Sequence, residues 1–105
     1  MTIARPFDMT LNTRLGSDPG FRAGLLSEAV DLLLAGDVRT GREILRSYIL
    51  QTTGFPALSE ATGIPAKSLI RMMGSQGNPR AENIFVILHQ LQRLTGVQLS
   101  VRAAA

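Results

Sequence analysis

The stretch "LSEATGIPAKSLIRMM", residues 58–73, has the apolar spacing of a single amphipathic helix, but two residues interrupt it. Gly63 suits the left-handed conformation that turns a chain, and Pro65 suits the first turn of a helix rather than its interior. After the interruption the pattern resumes with Lys67 and Arg71, which are four residues apart and therefore share one helical face. The stretch predicts two short helices joined at Gly63, the second with a basic face.

Helix signals also surround this stretch on both sides. A helix opens at Pro19, with Ser17 or Asp18 as its cap, and Gly36 ends it; Asp37 can cap a second helix. After the central stretch comes a polar loop, "GSQGNP", which carries two glycines and a proline. Apolar residues at helical spacing then predict a last helix over about residues 81–95.

The tail "VQLSV", residues 97–101, alternates apolar and polar residues, which is the pattern of a half-buried β-strand. A lone strand needs a partner for its backbone groups, and the simplest partner is the same strand of a second copy, so a homodimer is predicted. The patterns together predict an N-terminal arm at 1–17 and one all-α domain at 18–105. Within that domain we expect paired helices at 55–73 and a short C-terminal β-strand.

The composition argues against several classes of protein. The 105 residues include no cysteine and a single histidine, His89, so thiolate zinc sites, disulfides and histidine-based relays have little to work with. No apolar run approaches the length of a membrane span, and no signal peptide is recognisable at the start. No catalytic constellation or phosphate-binding loop is found. We therefore expect a cytoplasmic protein that is not an enzyme, with no metal, no cofactor and no membrane partner.

The net charge of +3 is unevenly distributed along the chain. Acidic and basic residues balance through residue 53, so the whole excess lies from Gly54 onward, in the half that contains the central stretch. Between Ala66 and Met73 there are two cations and no carboxylate. A protruding helix of this kind suits the major groove of DNA, whose walls are phosphate. The alternative is a pair of core helices with a solvated basic edge, and that alternative stays open.

The segment "LSEATGIPAKSLIRMMGSQGNP", followed by a leucine-rich helix and "VQLSV", resembles a family of bacterial proteins. These are the addiction-module antidote (antitoxin) proteins with a lambda-repressor-like, Xre-type helix-turn-helix, and the resemblance covers roughly residues 17–101. It implies a lambda-repressor-like helical bundle, binding to double-stranded DNA as a dimer, and a RelE-type ribonuclease toxin as a possible partner. By the resemblance, base contacts fall to Ala66, Lys67 and Arg71, and backbone contacts to Ser68, Gln76, Asn78 and Arg80.

Two functional hypotheses follow from the sequence. The first is a sequence-specific transcriptional regulator, an antitoxin-like autorepressor whose recognition helix, residues 66–73, enters the major groove. The second is a protein-interaction module, a toxin-binding antidote that has lost DNA binding. The basic residues at positions 67 and 71 favour the first, because the second would predict acidic or apolar residues there.

Overall fold

The computed structural model describes residues 18–105, and these residues form five α-helices. Because every regular element within this range is a helix, the predicted all-α class is confirmed there. The predicted arm at residues 1–17 lies outside the described residues. Among the helices described, none has the length and the apolar character needed to cross a membrane. The helices are α1 (Pro19–Leu34), α2 (Val38–Gln51), α3 (Gly54–Thr62), α4 (Ala66–Met73) and α5 (Ala81–Thr95).

The first two helices begin where local capping chemistry predicts. The Asp18 side chain accepts a hydrogen bond from the Phe21 N–H at 3.1 Å, which satisfies one of the free donors at the start of α1. Asp37 does the same for α2 through the Thr40 N–H at 3.3 Å. Between the two helices Gly36 has a φ of 88°, the left-handed conformation that lets the chain reverse.

α1 and α2 pack against each other and come close together at Gly41. A Cβ atom added there would lie 3.0 Å from the Ala29 carbonyl oxygen and 3.0 Å from the Leu33 side chain. A glycine inside a helix weakens it by its conformational freedom. At this position the missing side chain lets the two helix backbones come together.

The hydrophobic core lies between the helices and draws on all five. α2 contributes Tyr48, whose ring is fully buried and whose hydroxyl donates a hydrogen bond to Thr95 Oγ1 of α5 at 2.8 Å. Burial raises the pKa of the Tyr48 hydroxyl, while the bond to Thr95 and the charge of Arg22 oppose the rise. The largest other side chains that are fully buried are Leu26, Leu45, Ile49, Leu58, Leu69, Met73, Ile87 and Leu91.

The structure does not show the predicted C-terminal strand. Gly96, with a φ of 78°, ends α5, and residues 97–101 have no regular secondary structure. Val97 is buried against the core, and the Leu99 N–H donates to Gln92 Oε1 at 2.9 Å. In the structure the alternation corresponds to a tail in which Val97 and Leu99 pack against the core while Gln98 and Ser100 are exposed.

Candidate nucleic-acid interface

The corner between α3 and α4 consists of three residues, 63–65. Gly63 adopts a left-handed φ of 78°, and its N–H donates to the Ser59 carbonyl oxygen at 2.8 Å, which closes the last turn of α3. Pro65 has an extended backbone and precedes α4, and its carbonyl oxygen accepts the Leu69 N–H at 3.0 Å. The predicted turn at Gly63, with one short helix before it and one after it, is thus confirmed.

Side-chain hydroxyls fix this corner further. Ser59 Oγ donates to the Ile64 carbonyl oxygen at 2.6 Å, and the Ile64 N–H donates to Thr62 Oγ1 at 3.1 Å. Both backbone groups of the residue after the glycine are therefore satisfied by α3, and the Ile64 side chain packs against the core. Ser59 and Thr62 were not among the residues predicted from the sequence, although hydroxyl residues that flank a helix-ending glycine are a recognisable signal.

α4 has a clear division between a buried and an exposed face. Leu69 and Met73 are buried, whereas Lys67 and Arg71 are exposed, as their spacing predicts. Ile70, an apolar residue, is also exposed over 46% of its surface and lies beside the two cations. The other two residues of α4 that are predicted to contact DNA, Ala66 and Ser68, lie on its first turn and are half-buried.

The loop that follows α4 folds back onto the last turn of that helix. The Gly77 N–H donates to the Gly74 carbonyl oxygen at 2.9 Å. A Cβ atom on Gly77 would overlap the carbonyl oxygens of Met72 and Arg71, so only glycine fits there without movement of the backbone. The loop therefore holds the exposed Gln76 and Asn78, the residues on either side of Gly77, next to the end of α4.

Arg42 of α2 is hydrogen-bonded to this loop, and it was not among the residues predicted from the sequence. Its side chain is 8% exposed, and Nη2 donates to the Ser75 carbonyl oxygen at 3.4 Å. Its Nε–H is buried and finds no hydrogen-bond partner within residues 18–105. Arg42 and Ser75 are 33 positions apart, so no pattern in the sequence around Arg42 indicates that it is buried. It could have been found only from the tertiary structure.

Arg80 lies at the other end of the loop, at the start of α5. It is exposed and its backbone is extended, and no side chain caps the helix that follows. The first backbone N–H groups of α5 are therefore open to an anion, and the Arg80 guanidinium is attached beside them. Glu82 in the first turn is the one acidic side chain nearby in the sequence.

The residues predicted to contact DNA thus lie on two consecutive pieces of chain, namely α4 and the loop over residues 74–80, which ends at the start of α5. Comparison of the chain with protein-family models, with curated proteins and with solved structures gives no match. The chemistry of these residues is consequently the basis on which a function is inferred.

Proposed function

We propose that the protein is a sequence-specific DNA-binding regulator in which α3 and α4 act as a helix-turn-helix. α4 is the recognition helix and lies in the major groove, which accepts one α-helix. The observation that carries the proposal is the exposed face of α4. Two long cations and one apolar side chain stand on it without a carboxylate, on a helix whose angle to α3 is fixed by hydrogen bonds.

The lack of acidic residues in α4 distinguishes this face from an ordinary solvated surface. Each of the other four helices described contains at least one carboxylate, in Glu28 of α1, Glu43 of α2, Glu60 of α3 and Glu82 of α5. A helix that only had to remain in water would gain from mixed charges. On a helix that lies between two rows of phosphates, any carboxylate would weaken binding to DNA. The absence of carboxylates from α4 therefore favours the DNA-binding hypothesis.

The residues of this surface divide into those that can contact bases and those that can contact the sugar-phosphate backbone. Arg71 can donate two hydrogen bonds to guanine O6 and N7, and Lys67 can serve a base or a phosphate. Ala66 and Ile70 offer apolar contact to a thymine methyl group. Contacts to the sugar-phosphate backbone, which position the protein without selecting sequence, are assigned to Ser68, Gln76, Asn78 and Arg80.

The specific form of the proposal is an antitoxin-like autorepressor. A homodimer would read a pseudo-palindrome whose half-sites are about one helical turn apart, and the natural candidate is the promoter of the protein's own gene. Binding to a RelE-type ribonuclease toxin follows from the family resemblance alone. Co-expression with the product of the adjacent gene, followed by a pull-down, tests that part separately.

The test of DNA binding is fluorescence anisotropy at fixed salt. The DNA is the promoter duplex and a scrambled duplex of the same length and base composition, and the proteins are wild type, Arg71→Ala, Arg80→Ala and Arg46→Ala. Arg71→Ala should lose the preference for the promoter, on the order of 1–3 kcal/mol for a bidentate base contact. Arg80→Ala should weaken both duplexes alike and reduce the salt dependence by about one unit per subunit.

Arg46 provides the matched control, because it is an exposed arginine of α2 outside the proposed interface. Arg46→Ala should bind both duplexes almost as the wild type does. If the wild type shows no preference for the promoter over the scrambled duplex, or Arg71→Ala binds unchanged, the assignment of α4 as recognition helix is wrong.

A further inference from the structure

An apolar groove of about 400 Å³ opens beside the loop that follows α4. It lies between the C-terminal end of α1, the start of α2 and the start of α5, and the buried Leu88 forms part of its lining. Val38, the first residue of α2, lines this groove and is about half exposed. The other lining residues are Val30, Leu33, Leu34, Asn78, Pro79, Ala81, Ile84 and Phe85.

Two large apolar side chains stand out of the surface at this groove. Phe85 is 68% exposed and Leu34 is 69% exposed, although both line the groove. A contiguous exposed patch of this kind marks an interaction surface more often than scattered single residues do. Even an enclosed cavity of about 150 Å³ can hold a benzene molecule, so the groove has room for an aromatic ring.

We propose that this groove is the surface on which a second copy of the chain docks, with Phe85 of each copy inserted into the groove of the other. A two-fold contact requires one patch that is complementary to itself. The groove meets this requirement because the protruding ring and the cavity that can receive it lie on the same surface. The proposal deepens the proposed function, since it assigns the surface that would pair two DNA-binding units.

The charges next to the groove in the sequence are compatible with self-association. Asp37 and Arg39 flank Val38, and Arg80 and Glu82 flank Ala81; all four are exposed. The set has two positive and two negative charges, so two copies that meet there do not repel each other through a net charge.

The position of the groove also fits paired binding to DNA. Asn78 lines the groove and belongs to the loop assigned to the DNA backbone, so the two surfaces are contiguous. The domain measures 40 × 32 × 26 Å, so the centres of two copies that pack along the 32 Å dimension are about 32 Å apart. This distance is close to the roughly 34 Å that separates half-sites one helical turn apart.

The first test is the mass of the full chain in solution without DNA, measured by light scattering over micromolar concentrations. The wild type should report twice the 11.3 kDa chain mass. Phe85→Glu should report the mass of one chain, because a carboxylate cannot enter the apolar groove without losing its hydration. Leu50→Glu is the matched control, since Leu50 is 48% exposed on α2 and does not line the groove, and it should remain a dimer.

The second test asks whether Phe85 meets the partner's groove. The chain has no cysteine, so a single introduced cysteine reports one position. Mixing Phe85→Cys with Leu34→Cys under mild oxidation should produce a disulfide-linked pair. Mixing Leu50→Cys with Leu34→Cys should not. Circular dichroism of each variant verifies that the helices are retained, which is expected because all three positions are exposed.

Three results would overturn the proposal. A dimer that survives Phe85→Glu assigns association to another surface, such as residues 97–101. If the wild type is a monomer, the rate at which the Phe85→Cys variant reacts with a maleimide shows what occupies the groove. A slow reaction assigns the groove to residues 1–17 of the same chain, and a fast reaction leaves it to a different protein. Because none of these measurements uses DNA, a dimer that fails to bind the promoter would overturn the proposed function while this inference stands.

Discussion

At the scale of single residues, Ile70 is the least expected member of the exposed face of α4. An isoleucine that is 46% exposed between cations gains nothing from water, whereas the C5-methyl group of thymine offers it an apolar partner in the major groove. The interpretation is specific to one chemical group of the DNA. It can therefore be tested on the DNA as well as on the protein.

We expect wild-type affinity to fall when the thymines of the promoter duplex are replaced by deoxyuridine, which keeps base pairing and removes the methyl groups. Loss of about 0.8 kcal/mol per buried methyl-sized group corresponds to roughly a four-fold change for each contact. Ile70→Ala should be less sensitive to the replacement than the wild type, and Leu50→Ala should be as sensitive as the wild type. Equal sensitivity of Ile70→Ala and wild type in anisotropy titrations would remove Ile70 from the readout.

Residue positions on α4 were predictable for a local reason, and Arg42 was not. The buried pair Leu69 and Met73 sets which side of an eight-residue helix faces the core, so the exposure of Lys67 and Arg71 follows from spacing alone. Arg42 lies on a helix with other arginines, and nothing in the adjacent sequence separates it from them. Its burial depends on the loop at Ser75, which reaches it only in the folded chain.

At the scale of elements, we expect replacement of glycine by alanine to change stability in opposite directions in the loop after α4 and in the interior of α1. Gly77→Ala should destabilise the fold by roughly 1–3 kcal/mol, because the new methyl group would overlap the carbonyl oxygens of Arg71 and Met72. Gly24→Ala should stabilise it by up to about 1 kcal/mol, because Gly24 lies within α1 and a Cβ there meets nothing within 4 Å.

Urea unfolding followed by circular dichroism measures both changes in the free energy of unfolding. The two variants add the same methyl group, so composition cannot explain a difference in sign. If Gly77→Ala is as stable as the wild type, the loop does not fold back tightly onto α4. The same variant should also weaken binding to promoter and scrambled duplexes alike, since the loop carries residues assigned to the DNA backbone.

The helices were predictable because residues at or next to each helix end determine where the helix begins or stops. Asp18, Asp37, Gly63 and Gly96 each act through a bond or a backbone conformation within a few positions of themselves. The strand at residues 97–101 was predicted from alternation alone. A strand also requires a partner, which alternation does not supply, and the tail instead bonds to Gln92 of its own helix.

At the scale of the whole molecule, the Tyr48 hydroxyl links stability to pH. Burial, opposed by the bond to Thr95 and by Arg22, raises the pKa of this group above its value of about 10 in an unfolded chain. The unfolded chain therefore ionises first as the pH rises. Above about pH 10 the folded form therefore binds more protons than the unfolded chain. The contribution of this group to the free energy of unfolding is constant below about pH 10 and falls above it.

Tyr48→Phe should remove that alkaline loss, at the cost of roughly 0.5–1.5 kcal/mol near neutral pH for the hydrogen bond to Thr95. Thermal unfolding at a series of pH values measures both effects. Tyr48 is the single tyrosine of the chain and there is no tryptophan, so the ultraviolet absorbance of tyrosinate reports its ionisation directly in the native protein. Ionisation at or below the ordinary pKa of a tyrosine, with the fold intact, would contradict the prediction.

The bond from Arg42 to Ser75 has a consequence for protein engineering. Residues 54–80 form a continuous segment that invites transfer onto another helical scaffold to give it a DNA-reading surface. Such a graft would carry the corner, α4 and the loop, but it would leave behind the guanidinium that reaches the loop from α2. A designer would therefore have to provide an inward-facing arginine on the host helix that takes the place of α2, since a binding loop keeps its geometry only when its supporting residues are rebuilt with it.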